Sequence, residues 1–242
     1  MHRKVLIDWF LSPKGRILQR QEAKFLEHAM AVSCKQVIVQ IGALGWENDF
    51  IESEFYQSFV VLDDEQRPQN QHCLIKAESD FLPIKEASVD LIILPHLLEF
   101  ETDKHQVLRE VERILKPEGK LIILSFNPWN IYINLQYMRH RVPETPWLPS
   151  LMTRTRIQDW LRLLNFEVEV AAGFNFDDSK RTAFDSERRK HELNIAAYAI
   201  KAIKRNYHYI PIEAAKNYQS DFAMARLMDS DTATSIITKK IK

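Results

Sequence analysis

Cysteine is scarce in this chain. Cys34 and Cys73 are the only two, and they stand in no metal-binding or redox spacing. That argues against a disulfide framework and a zinc centre, and it fits a reducing compartment. Net charge is missing as well: 33 Lys and Arg balance 33 Asp and Glu. No global field draws the chain toward phosphates or an anionic membrane, so a nucleic-acid partner is not expected. No window is apolar for long enough to span a bilayer, so no membrane span is expected. The opening MHRKVLIDWFL has a short apolar run, is broken by Asp8 and leads to no small-residue cleavage site, so it does not read as an export signal. The expected location is cytoplasmic. No internal repeat is visible. What is present is a globular composition, 45% hydrophobic and 27% charged over 242 residues. Such a chain has room for one α/β domain with additions or for two small domains.

Ser12 followed by Pro13 predicts a helix start, with Ser as the cap and Pro in the first turn, where its missing N–H costs nothing. Leu18, Glu22, Phe25, Leu26, Ala29 and Met30 then recur at mostly helical spacing, so the helix is expected to run to about Ala31. From Gln36 the pattern changes to short apolar runs rich in β-branched residues. These are Gln36–Ile41, Phe59–Leu62, Cys73–Lys76, Val89–Leu94 and Lys120–Phe126. Runs apolar at consecutive positions suit parallel strands covered on both faces. Thr102–Leu115 has Val107, Leu108, Val111, Ile114 and Leu115 on one face and charges on the other, the clearest helix in the chain. Lys116-Pro117-Glu118-Gly119 is expected to end it in a turn. A further helix, Thr155–Leu164, and two strands, Phe166–Ala172 and Leu193–Lys204, complete the pattern.

Alternating strands and helices predict a doubly wound, mostly parallel seven-stranded sheet with helices on both faces, whose ligand sits at the C-terminal strand ends. Two such ends stand out. One is VIVQIGALGW, Val37 to Trp46, a strand running into a glycine turn. The other is Leu62-Asp63-Asp64, with Asp63 falling 21 positions after Gly42. A carboxylate there can accept hydrogen bonds from both hydroxyls of a ribose. The bland alternative is an acid that merely ends a strand as a solvated turn residue.

Three stretches carry a closer likeness: Ala77-Glu78-Ser79-Asp80-Phe81-Leu82-Pro83-Ile84, Ser88-Val89-Asp90-Leu91-Ile92-Ile93 with Pro95-His96-Leu97-Leu98-Glu99-Phe100, and Leu108 through Gly119. Over roughly Gln36 to Phe126 the chain resembles the class I S-adenosylmethionine-dependent methyltransferases of the "methyltransferase type 11" sort. The resemblance implies that S-adenosylmethionine is the cofactor. It also implies that Gly42, Ala43 and Gly45 form the cofactor loop, with Gly42 passing close to the methionine end. Asp63, with Asp64 as a competitor, matches the ribose acid, Glu78 the acid facing the adenine amino group, and Ser79 the small residue beside the ring. Pro95 and His96 match the floor beneath the methyl group. Two features depart from the pattern: Gln40 stands where the family has an acid, and Leu44 and Trp46 stand where it has glycines. A bulky Leu44 would crowd the ligand unless Gly45 shifts the tight turn by one residue.

A methyl acceptor that must lose a proton needs a general base, and His96 is the candidate for that catalytic role, or else a residue that caps the fourth strand or packs on the cofactor. Glu99 and His105 are expected on a loop or helix face. Asn127-Pro128-Trp129 follows the fifth strand rather than the fourth, so it is not read as the signature of an amino-group methyltransferase. The expected organisation is a helical segment over 1–35, a methyltransferase domain over 36–205 with an aromatic and proline-rich acceptor-side cover at 127–150, and a polar tail over 206–242. The expected function is methyl transfer to a small or medium, hydrophobic acceptor. Its rivals are a fold that has lost catalysis and serves as a binding or regulatory protein, and an RNA-modifying enzyme resting on Arg181, Arg188, Arg189 and Lys190.

Overall fold

The structure is a computed structural model, and it describes residues 3–30, 36–51, 56–64, 73–131, 150–176, 182–183 and 195–205. In chain order the elements are helices α1 (Lys4–Phe10) and α2 (Pro13–Met30), then strands β1 (Val37–Ile41), β2 (Ser58–Asp63), β3 (Cys73–Lys76) and β4 (Val89–Pro95). Helix α3 (Lys104–Ile114), strand β5 (Leu115–Phe126), helix α4 (Arg154–Leu163) and strands β6 (Phe166–Phe174), β7 (Thr182–Ala183) and β8 (Ala197–Lys204) follow. The described residues make one compact unit that includes both N-terminal helices.

The strands form one sheet in the order β3-β2-β1-β4-β5-β8-β6-β7. The first five are parallel, β8 pairs antiparallel with β5 from Lys120↔Ile203 to Phe126↔Ala197, and β6 pairs antiparallel with β8. The sheet is therefore doubly wound and mostly parallel, as predicted. Among the described residues it has eight strands rather than seven, because the two-residue β7, between β6 and β8 in the chain, adds to the edge. The strand order reverses at β1, which lies between β2 and β4, and a crevice at such a switch point is where α/β sheets bind ligands.

Consecutive apolar residues fill two separate cores because neighbouring side chains on a strand point to opposite faces. In β4, Ile92 and Leu94 join Val107, Leu108, Val111 and Ile114 of α3 and Ile157 and Leu161 of α4. Leu91 and Ile93 join Leu6 and Phe10 of α1 and Leu18, Leu26 and Met30 of α2 on the other face. Ser12 caps α2 by accepting a hydrogen bond from the Gly15 amide at 3.1 Å. Gly15 also lets α1 cross close by, since a Cβ there would strike the backbone of Trp9 and Phe10. Within the helical segment expected over 1–35, α1 is a second helix ahead of the one expected from Ser12. Among its neighbours, Trp9 meets Phe126 edge-on with centroids 5.3 Å apart, and Phe10 meets Trp46 at 5.8 Å.

The turn predicted at Lys116–Gly119 lies inside a strand. Leu115 already pairs with Val89 and Lys120 pairs with Leu91, so the four residues between bulge out of β5, with Glu118 at φ 60°. Lys116 is held there by Asp90, with Nζ 2.8 Å from Oδ1, while the other oxygen of Asp90 accepts from the Val37 amide at 2.9 Å. Of the predicted acceptor-side cover, residues 132–149 lie outside the described residues, as do Arg181, Arg188, Arg189, Lys190 and the 206–242 tail.

Candidate active site

A cavity of about 290 Å³ opens at the C-terminal ends of β1 and β2 and is closed by the segments after β3 and β4. Its size is near the lower end of ordinary small-molecule pockets. Gly42, Asp63, Asp64, Glu78 and Ser79 line it, so the structure gathers these five candidates at one site. Asp63 is 4% exposed, and its Oδ2 accepts a hydrogen bond from the Ala43 amide at 2.8 Å. One carboxylate therefore ties the first turn to the second strand end. Glu78 and Ser79 sit in the short turn closed by the Glu78–Phe81 bridge.

The glycine loop is organised around a residue that the sequence did not single out. Glu47 is 2% exposed, and its carboxylate accepts from the Leu44 amide at 2.6 Å, from the Gly45 amide at 3.0 Å and from Gln40 Nε2 at 2.9 Å. Gln40 also donates to the Gly42 carbonyl at 2.9 Å. An acid at position 40 could donate none of these bonds unless protonated, so Gln40 and Glu47 work as a pair. Gly42 and Gly45 have φ of 92° and 86°, the left-handed region that favours glycine, whereas Leu44 is not among the positive-φ residues. The chain thus turns at Gly45. Leu44 and Trp46 point into the core on the α1 and α2 face, at 1% and 7% exposure, and neither lines the cavity. Replacing Glu47 by alanine strips two buried donors, the Leu44 amide and Gln40 Nε2, of an acceptor, while the exposed Gly45 amide can turn to water. At about 1 kcal/mol for each buried group, Glu47→Ala is expected to lower stability by about 2 kcal/mol in urea unfolding, and Glu47→Gln by less.

Arg3 is the second unanticipated residue. It is 5% exposed and lines the cavity, and its Nη2 donates to the Pro95 carbonyl at 2.8 Å. Its guanidinium lies 5.9 Å from the Phe100 ring centroid, and it is packed so closely over Gly42 that a Cβ at that glycine would collide with it. No local pattern in HRKV signals this role, because the site that Arg3 reaches is built more than 38 residues further on.

His96 is fully buried and does not line the cavity. Its Nε2 lies 3.0 Å from Glu22 Oε1 of α2 and its Nδ1 lies 3.3 Å from Glu99 Oε1. Glu99 also accepts from the Phe126 amide at 2.8 Å. The ring packs on Phe126 at 4.3 Å and on Phe10 at 5.6 Å. Burial alone would push the imidazole down, but Glu22 and Glu99 outweigh it and hold His96 up at about 9. Burial raises Glu22, whereas for Glu99 the bonds from His96 and from the Phe126 amide outweigh burial and lower it. Closed in by two carboxylates and two rings, the histidine fastens α2 to the end of β4. Glu99, expected on a loop or helix face, sits in the turn after β4 and is 1% exposed for the same reason. His105 lies in α3 and packs on Trp160, with centroids 3.5 Å apart.

Gln40, Ala43, Gly45 and Pro95 act behind the wall of the cavity rather than in it. They contribute through the loop's own hydrogen bonds and through the carbonyl that holds Arg3. Asn127 likewise serves the fold, its Nδ2 donating to the Ile195 carbonyl at 3.0 Å and tying the end of β5 to the start of β8. Among the described residues no group of three or more His, Cys, Asp or Glu is arranged to hold a metal ion, and no helix is long and apolar enough to cross a membrane.

This sheet order, with a cavity at its switch point, agrees with sequence comparison: residues 43–123 match the family described as a methyltransferase domain. Over that stretch the chain is similar to methyltransferase domains. Over 105 residues it is 39% identical to Uncharacterized protein YafS of Escherichia coli, a stretch covering 42% of each protein. Over 81 residues it is 32% identical to the ubiquinone/menaquinone biosynthesis C-methyltransferase UbiE of Hahella chejuensis, covering 33% of this chain and 32% of that one. The chain thus spans less than half the length of these curated relatives. Among solved structures it superposes on a methyltransferase in complex with the Haloferax volcanii Trm112 methyltransferase activator. There the TM-score is 0.60 at 15% identity, over 86% of this chain and 99% of the other, which is a likeness of fold.

Proposed function

We propose that the protein is an S-adenosylmethionine-dependent methyltransferase acting on a small or medium organic acceptor. The observation that carries the reading is the cavity at the switch point, where Asp63 and Glu78 face one space beside a glycine turn. Asp63 would take the ribose hydroxyls, Glu78 the adenine amino group, and Ser79 the edge of the ring. The nucleoside part therefore fits the residues present. The amino-acid end does not fit the chain as it is folded, because the Arg3 guanidinium lies against Gly42 where that end would pass.

When bound, the cofactor supplies a methyl group already activated by its sulfonium. The protein's share of the work is to orient the donor, bring the acceptor into line and exclude water. Relatives named as quinone-biosynthesis C-methyltransferases support an apolar acceptor. A second reading, a binding or regulatory protein that has given up catalysis, is favoured by the position of Arg3. Titration calorimetry separates the cases at the first step. Adenosine and S-adenosylhomocysteine are both expected to bind, and the absence of heat from either at about 1 mM would end the enzyme reading.

A further inference from the structure

The cavity is one half of a site whose other half is filled by the protein itself. On the nucleoside side, carboxylates and small residues face open space. On the side of Gly42 the Arg3 guanidinium lies over the glycine, anchored to the Pro95 carbonyl and resting beside Phe100. The loop amides that could have greeted a ligand's carboxylate, those of Leu44 and Gly45, are turned onto Glu47. A cation and an anion of this chain thus take up the groups that a zwitterionic tail would use. Acids are numerous around the cavity, with Asp63, Asp64, Glu78, Asp80 and Glu101 in its wall, and this favours a guanidinium in that place. A ligand's sulfonium arriving there would meet a like charge, and any tail would meet occupied volume.

We propose that Arg3 is the specificity residue of this site. As folded, the site takes a nucleoside with a hydrogen or a short neutral group at its 5′ end, and it admits an amino-acid tail only when the Arg3 side chain swings out. The inference rests on the nucleoside reading of the cavity given above. Its consequence is that the tail of S-adenosylhomocysteine contributes little affinity in the wild-type protein and becomes useful once Arg3 is shortened.

The test is calorimetry of the wild-type protein, Arg3→Ala and Arg3→Ser with two probes, adenosine and S-adenosylhomocysteine. In the wild type the two dissociation constants are expected to agree within about threefold. In both variants S-adenosylhomocysteine should bind at least about tenfold more tightly than in the wild type, and the ratio of its dissociation constant to that of adenosine should fall at least about tenfold. If S-adenosylhomocysteine binds the variants no better than the wild type while adenosine still binds all three, the role of Arg3 is overturned and the nucleoside site stands. If neither probe binds any of the proteins, the site reading and this inference fall together. Should both variants fail to fold, the wild type alone decides: S-adenosylhomocysteine binding more than about tenfold tighter than adenosine means the tail already has room, and the proposal is wrong.

Discussion

Asp63→Ala is expected to weaken adenosine binding roughly 30- to 100-fold, measured by calorimetry, a loss of about 2 to 3 kcal/mol. The size follows from charge. A ribose hydroxyl that bonds to a carboxylate gains more than one that bonds to a neutral oxygen, and the nearly buried setting of Asp63 keeps water from competing. Alanine removes a second bond as well, because Oδ2 of Asp63 also accepts from the Ala43 amide. Binding could then fall through a loosened loop rather than through a lost ligand contact, and Asp63→Asn separates the two. Its side-chain carbonyl can still accept from Ala43, so the loop and the unfolding midpoint should be held close to wild type. Only the charge and one acceptor are lost, and adenosine should bind about tenfold more weakly. Equal adenosine affinity in wild type and Asp63→Asn would mean that the carboxylate serves the turn alone.

The strands were the most legible part of the chain, and the reason is visible in β4. Leu91, Ile92, Ile93 and Leu94 are apolar at every position because α1 and α2 cover one face while α3 and α4 cover the other. Helix α3 was equally plain, since its charges and apolar residues segregate by the helical period. Helix α1 was not distinguished within the expected helical segment because seven residues hold too few periods to show one, and it exists through its packing on Phe126 and Trp46 rather than through its own pattern. The strand start at Leu115 escaped because Pro117 and Gly119 signal a turn whether that turn ends a strand or bulges from it.

Legibility at the site divides along a similar line. Gly42, Asp63, Glu78 and Ser79 could be placed because each sits at the end of a strand or just beyond one, so that strand boundaries bring them together. Leu44 and Trp46 misled because bulk in a glycine loop suggests obstruction. The direction in which that bulk points depends on backbone torsions at Gly42 and Gly45 and on a carboxylate at Glu47 that local spacing does not announce. What obstructs the site is Arg3, the residue farthest from the loop in sequence among those that touch the cavity on the N-terminal side. Glu22 did carry a signal. It occupies the apolar face of α2 between Leu18 and Leu26, and a carboxylate in such a stripe needs a buried partner.

That partner is His96, and His96→Gln is expected to destabilise the protein by about 3 kcal/mol at pH 6.5, measured by urea unfolding. One imidazole and two carboxylates come nearest to neutrality when the cluster holds two protons, which leaves an imidazolium, one ionised glutamate and one protonated glutamate. Burial favours that state. Removing the imidazolium leaves Glu22 and Glu99 facing one space with no cation. The pH dependence has a definite sign. The folded-state value of His96, about 9, lies above its ordinary 6.5, so its contribution is complete below pH 6.5 and is lost as pH rises through 9. Glu22, raised by burial, works in the same direction, because above 4.5 the unfolded group ionises while the folded one keeps its proton, so stability falls from 4.5 up to its raised value. Glu99, held low, adds stability that is present above 4.5 and is lost only as the pH falls through its lowered value. Wild-type stability should therefore decline by about 3 kcal/mol between pH 6.5 and 9, and His96→Gln should lack most of that slope. A variant with the same slope as wild type would place the titration elsewhere. Because the cluster joins α2 to the end of β4, where the Pro95 carbonyl holds Arg3, its loss at alkaline pH should also loosen the seat of that arginine.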